Sequence, residues 1–274
     1  MSLNQTCLAL IRNGDLERLP GQLSCHWPGV QRVVAKGHSM KAVIAIMATL
    51  MLAGCATNGV SRPPVCAKPD SDQELALSLA DNMANDGRLY ASLANLEGLP
   101  DNLVQVRLRK ARVLRLMGRN EAGPLYQSLL GTCMAADGEH GLGQLAAAKN
   151  DYANATTHLE RAVKMAPTDD RMRNDLGVVY LNQRRIPEAR FEFMTSMELK
   201  QSNTLAALNM VTLLIYQDNW KAASELVTRA SLSPQQVAEA QTRAEKLKAS
   251  AKKAVASEGN RRTEVAAASS SATK

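Results

Sequence analysis

Histidine, cysteine and carboxylate side chains are the groups that could do chemistry in this chain. After residue 55 the only histidines are His140 and His158, on different helices of one predicted hairpin. No Cys, Asp or Glu stands at metal-ligand spacing around them, and the chain has neither a nucleophile elbow nor a phosphate-binding glycine loop. We therefore expect no catalytic residue, metal site, cofactor or small-molecule substrate, and a protein that is not an enzyme.

Cys55 has the most distinctive setting of the five cysteines. Met40 and Lys41 begin a signal-like segment, and the apolar run 42–53 that follows is too short, at about 18 Å as a helix, to cross a bilayer core of about 30 Å. The residues that end it, Leu52, Ala53, Gly54 and Cys55, resemble the bacterial lipobox. The alternative is an ordinary secretory signal with a chance cysteine.

The lipobox resemblance implies a processed and lipidated protein. It makes residues 40–54 a lipoprotein signal peptide that is cut before Cys55, whose thiol is then acylated. Several acyl chains together give stable membrane anchoring. Because Ala56 and not Asp follows Cys55, the resemblance implies the periplasmic face of the outer membrane.

The segments on either side of this signal differ in character. Residues 1–39 show no sustained period, and we expect them to come from an upstream start-site assignment; a real extension lost on cleavage is the alternative. Residues 55–72 are rich in proline and turn residues and predict a flexible lipidated tether. Cys66 in this tether and Cys133 either form a disulfide or remain two free thiols, a choice that spacing alone leaves open.

Charge and composition restrict the partners. The net charge is +7, but residues 55–241 hold 20 basic and 21 acidic side chains, so the excess lies in the two ends. Aromatic residues make up 3% of the chain, too few for a base-stacking surface. We therefore expect no nucleic-acid partner. The abundance of Ala and Leu over β-branched runs favours helices over sheets.

A 34-residue period organises residues 103–236. Ala155, Ala189 and Ala223 are spaced by 34 and 34, and several other positions repeat with the same offset. The pattern resembles the tetratricopeptide repeat, a helix–turn–helix unit of about 34 residues. The resemblance implies an all-α fold, a right-handed superhelical solenoid of antiparallel helix pairs. We expect the solenoid over 73–253, ending in a capping helix from Pro234, and a disordered basic tail over 254–274.

Small residues in the repeats predict close helix crossings. Gly177 and Ala189 lack bulk where two helices of one hairpin cross, while Tyr180 and Phe193 fill the gap toward the neighbouring repeat. The residues assigned to repeat packing are Leu142, Gly143, Ala155, Leu159, Ala162, Leu176, Gly177, Tyr180, Ala189, Phe193, Ala223, Val227 and Ala230.

In tetratricopeptide-repeat proteins the first helices of the hairpins line a concave groove that holds a peptide or helix. Projecting the period places a groove here that is basic at one end, polar in the middle and apolar at the other. Its candidate residues are Arg107, Leu114, Arg115, His140, Gln144, Asn174, Val178, Asn182, Leu208, Thr212 and Tyr216.

The chain combines a lipobox, a proline-containing tether and helical repeats. In this combination it resembles the TadD lipoproteins of the Tad (Flp pilus) assembly system. The resemblance covers roughly residues 40–250 and implies a pilotin-like role. The acyl chains on Cys55 would hold the repeats at the outer membrane, and the groove would bind the secretin or another pilus-assembly protein while it multimerises. The main alternative is a general envelope scaffold for β-barrel insertion or cell-wall enzymes.

Overall fold

The computed structural model describes residues 65–202 and 204–271, with side chains described as far as residue 253. The predictions for residues 1–39, the signal peptide 40–54, Cys55 and the tether as far as residue 64 lie outside this part. Within it there is no strand, and the chain forms α1 (Ser71–Asn85), α2 (Leu89–Glu97), α3 (Val104–Leu116), α4 (Ala122–Gln127), α5 (Ala135–Ala148), α6 (Tyr152–Met165), α7 (Asp170–Asn182), α8 (Ile186–Leu199), α9 (Thr204–Tyr216), α10 (Trp220–Arg229) and α11 (Pro234–Ser271). The predicted all-α fold is confirmed.

The helices pair in chain order, so that α1, α3, α5, α7 and α9 are first (A) helices and their successors are second (B) helices. Ala155, Ala189 and Ala223 each stand fourth in α6, α8 and α10. Their relative exposures are 0%, 0% and 4%. The 34-residue spacing therefore marks equivalent buried positions in three hairpins.

Glycine allows the two helices of a hairpin to approach closely. A Cβ added to Gly177 in α7 would lie 2.6 Å from Phe193 Cε1 in α8. A Cβ on Gly143 in α5 would lie 2.6 Å from Leu159 Cγ in α6. Both glycines therefore lie at close helix contacts, and the ring of Phe193 packs on its own hairpin rather than toward the neighbouring repeat.

The turns between A and B helices share one backbone feature. Asn150, Arg184 and Asp218, again 34 residues apart, all have positive φ, at 59°, 63° and 58°. Gly118 and Gly87 adopt positive φ in the two earlier turns, where glycine carries no steric penalty. The repeat thus places a left-handed residue in each hairpin turn, whatever its side chain.

Polar contacts connect one helix to another through hydroxyl groups. Tyr180 donates its hydroxyl to Glu160 of the preceding hairpin at 2.7 Å, with the Arg185 guanidinium over its ring. Ser196 is fully buried and donates to the Asp170 carbonyl oxygen at 2.8 Å. Buried hydroxyls need such a partner, so these contacts keep the helices in register.

The C-terminal helix begins where the sequence predicts. The backbone N–H of Gln236 donates to the Ser233 hydroxyl, Pro234 starts α11, and Ala240 and Ala244 are fully buried. The helix packs along α9 as the A helix of a further repeat would. The prediction of disorder from residue 254 differs from the structure, in which α11 continues to Ser271, as its many alanines favour.

The tether is attached to the stack over its last residues. Cys66 and Cys133 form a disulfide, with Cα atoms 5.4 Å apart, and Gln105 in α3 donates to the Ala67 carbonyl oxygen at 2.8 Å. Asp70 and Gln73 then form a capping box, so that α1 begins at Ser71, inside the predicted tether. The expectation of flexibility up to residue 72 is therefore wrong for residues 66–72.

Candidate functional site

Five of the predicted groove residues are buried by helices of the same chain and present no free surface. Their exposures are at most 8%, and they are Leu114, His140, Asn174, Leu208 and Thr212. For Leu208 and Thr212 the reason is that α9 lies inside the stack, where all of residues 206–215 are buried. The signal was present in the sequence, because α9 is apolar on every side and such a helix is buried all round.

The other six groove candidates remain partly exposed, and all lie on A helices: Arg107, Arg115, Gln144, Val178, Asn182 and Tyr216. Asn182 donates to the Val178 carbonyl oxygen and accepts a hydrogen bond from Tyr152. Arg107 reaches Ser128, and Arg115 reaches the Tyr126 hydroxyl. The surface available to a partner is therefore basic at α3 and becomes polar and then aromatic toward α9.

A ladder of hydrogen-bonded side chains joins four successive A-type helices. His140 of α5 contacts Asp175 of α7 at 2.7 Å, and Gln144 donates to the same Asp175 oxygen at 2.7 Å. Asn174 is the next member, because it donates to the other Asp175 oxygen and accepts from Asn209 of α9 at 2.8 Å. Arg243 of α11 completes the ladder by donating to Asn209 at 3.3 Å.

Two predicted groove residues, His140 and Asn174, thus connect repeats to one another. Asp175, Asn209 and Arg243 were missed by the sequence reasoning, although Asn174, Asn209 and Arg243 follow the repeat at spacings of 35 and 34. His140, Asn174 and Asn209 are buried, and a hydrogen-bonded network of buried polar groups specifies one packing arrangement. The ladder therefore holds the A helices in fixed register behind the accessible surface.

Electrostatics in the ladder favour an ionised Asp175. Its burial opposes ionisation, but hydrogen bonds from His140, Gln144 and Asn174, with the charge of His140, outweigh burial, so that its pKa lies below the ordinary value. An ionised carboxylate only accepts hydrogen bonds, so His140 donates to it through Nε2. His140 and Asp175 therefore act as structural partners.

The second histidine is also paired. His158 of α6 contacts Glu139 of α5 through Nδ1 at 2.6 Å, and Arg161 lies 3.7 Å from the other Glu139 oxygen. Glu139 is 5% exposed, so His158 and Arg161 supply the partners that a buried carboxylate needs. Among residues 65–202 and 204–253, no group of three or more His, Cys, Asp or Glu side chains is placed to hold a metal ion.

In the part of the chain that the structure describes, no helix combines the length and apolar character that crossing a bilayer requires.

Stacked helical hairpins with polar, partly exposed A helices define the class of protein as a helical-repeat scaffold that binds other polypeptides. The TPR repeat-containing protein PA4299 of Pseudomonas aeruginosa is 40% identical over 208 residues, which cover 75% of this chain and 85% of that relative. The chain belongs to the tetratricopeptide-repeat (TPR) protein family.

Solved structures share the fold. The structure of pilF from Pseudomonas aeruginosa has a TM-score of 0.50 and 17% identity, covering 64% of this chain and 87% of that one. YrrB, described as a TPR protein with an unusual peptide-binding site, has a TM-score of 0.43 and 18% identity, covering 61% of this chain and 90% of that one. No family model matches the sequence.

Proposed function

We propose that this protein is a lipoprotein of the outer membrane whose repeats face the periplasm and bind a polypeptide during assembly of the Tad (Flp) pilus. In this role it acts as a pilotin-like partner that supports localisation and multimerisation of the secretin. The observation that carries the proposal is the combination, in one chain, of a lipobox at Cys55 with a TPR stack. Two further features support it: the resemblance to TadD and the attachment of residues 66–70 to the stack.

The attachment gives the anchor a limited reach. Eleven residues lie between Cys55 and the disulfide at Cys66, counting Cys66 itself. A fully extended chain of that length spans at most about 40 Å. Acyl chains on Cys55 would therefore hold the stack close to the bilayer, near the place where a secretin subunit must insert.

Replacing the acylated thiol tests the proposal. Cys55→Ser removes the acceptor for the acyl chains, and we expect the protein to leave the outer-membrane fraction and secretin multimers to fall. Ala56→Ser is the matched control, because it also introduces a serine at the processing site but leaves Cys55 in place. Metabolic labelling with a fatty-acid analogue should mark the control and not Cys55→Ser.

Two results would count against the proposal in different ways. The pilotin-like role would be refuted if the wild type were labelled with the fatty-acid analogue but the amount of secretin multimers were the same in Cys55→Ser as in the wild type. If β-barrel proteins or cell-wall enzymes were depleted instead, the general envelope scaffold would be the better description. A secretin gene and a pilus ATPase gene beside this one would favour the pilus.

A further inference from the structure

The charges of α3 are unbalanced within the helix. It carries five basic residues and no acidic residue, and residues 104–127 as a whole contain six basic side chains and one acidic side chain. Three of the five meet carboxylates from elsewhere in the fold. These pairs are Arg109–Asp81 at 2.9 Å, Lys110–Asp101 at 2.5 Å and Arg112–Asp137 at 2.7 Å.

Arg107 and Arg115 are the two that have no carboxylate partner among the described residues. Arg107 donates to the carbonyl oxygen and hydroxyl of Ser128, at 3.3 and 3.2 Å, and Arg115 donates to the Tyr126 hydroxyl at 3.4 Å. The Nε of Arg107 is buried, so a partner's carboxylate can reach this side chain only through its terminal nitrogens.

Arg107 and Arg115 lie on neighbouring parts of the α3 surface. They are eight residues apart, which is about 12 Å along a helix axis, and eight steps of about 100° place them about 80° apart around it. Both side chains contact the segment formed by α4 and Ser128, and both are partly exposed. A guanidinium binds a carboxylate through two parallel N–H donors, which adds direction to the charge attraction.

We propose that Arg107 and Arg115 form a binding site for an acidic segment of a partner polypeptide. The segment carries two carboxylates about 12 Å apart, a distance that positions i and i+4 of an extended chain span at about 3.3 Å per residue. This inference rests on the proposal that the stack binds a polypeptide, and it names the chemistry of that partner. The rest of residues 55–241 is close to neutral, so α3 is the part of this region that attracts acidic residues most strongly.

Selection from a library of random 12-residue peptides tests the site. The purified full-length protein is the bait, and the affinities of the selected peptides are then measured for the wild type and for Arg107→Gln/Arg115→Gln. We expect the selected peptides to carry Asp or Glu at i and i+4. The double variant should lower their affinity about 25-fold, from about fivefold for each partly exposed ion pair.

Two further variants separate the site from general charge and folding effects. Arg88→Gln/Arg119→Gln removes the same charge from exposed turn residues and should change affinity less than about twofold. Arg107→Lys/Arg115→Lys keeps the charge but not the paired donors, so it should bind with intermediate affinity. Circular dichroism and thermal melting check that each variant is folded.

Failure to select any peptide would overturn the proposal. So would selected peptides without acidic enrichment, or equal binding by the folded Gln double variant. Because the assay uses purified protein and no secretin, its outcome is independent of the Cys55→Ser experiment. The two proposals can therefore fail separately.

Discussion

Gly177→Ala tests whether the 34-residue repeat reflects close helix crossings. The new methyl group would lie 2.6 Å from Phe193 Cε1, and Phe193 is fully buried, so its ring has no free space into which to move. Overpacking a core costs about 1–3 kcal/mol, whereas alanine gains about 1 kcal/mol over glycine in a helix. We expect the free energy of unfolding to fall by about 1 kcal/mol.

Gly123→Ala is the matched control. It adds the same methyl group in helix α4, where the nearest atom that the new Cβ would meet, Leu145 Cδ1, is 4.0 Å away. This variant should be as stable as the wild type or more stable by up to about 1 kcal/mol. Urea titration followed by circular dichroism at 222 nm measures both, and the variants should differ by about 1–2 kcal/mol.

A double variant connects the effect to the named contact. Phe193→Leu removes part of the ring, and the methyl group of Gly177→Ala can then occupy some of the vacated volume. The double variant should be more stable than the sum of the single effects by about 1 kcal/mol. Additive effects, or a Gly177→Ala protein as stable as Gly123→Ala, would refute this account of the crossing.

Three further predictions concern a turn, the disulfide and the ladder. Arg184→Gly should raise the free energy of unfolding by about 0.5–1 kcal/mol in urea titration, because Arg184 has φ of 63°, while Arg184→Ala should give no gain. Cys66→Ser/Cys133→Ser should lower it by about 4 kcal/mol, since the bond closes a loop with a sequence separation of 67, and reducing the wild type should have the same effect. The pKa of Asp175 is lower in the folded protein, so its contribution is present above the unfolded pKa and is lost as pH falls through the folded pKa. The stability difference between wild type and Asp175→Asn should therefore shrink as acid is added from about pH 5 to pH 2, and a constant difference would contradict the assignment.

Periodicity identified the helical hairpins because their packing is local and repeated. Ala155, Ala189 and Ala223 meet the same surroundings in each unit, and the A–B crossing at Gly177 needs a small residue wherever it occurs. The start of α11 at Pro234 was also predictable from its capping residues. Each of these features depends on contacts within one hairpin or on its immediate turn.

The accessible surface was harder to predict, because exposure depends on which helix follows. Positions 174 and 208 are equivalent in the repeat, yet Asn174 is buried in a ladder that continues to Asn209, and Leu208 is buried in the apolar core. The prediction from the 34-residue period assumed that the groove side of every A helix is exposed. In the structure, residues on that side are buried wherever the next A-type helix, including α11, packs along the helix before it.

The same reasoning explains why the candidate site lies toward the N-terminal end of the stack. Toward α9 the A-type helices are joined by the ladder and by apolar packing, so few of their polar groups lack a partner. In α3 the five basic residues outnumber the three carboxylates that reach them. The charges of Arg107 and Arg115 meet no carboxylate among the described residues, and unbalanced charge on a folded scaffold is what a partner of opposite charge can use.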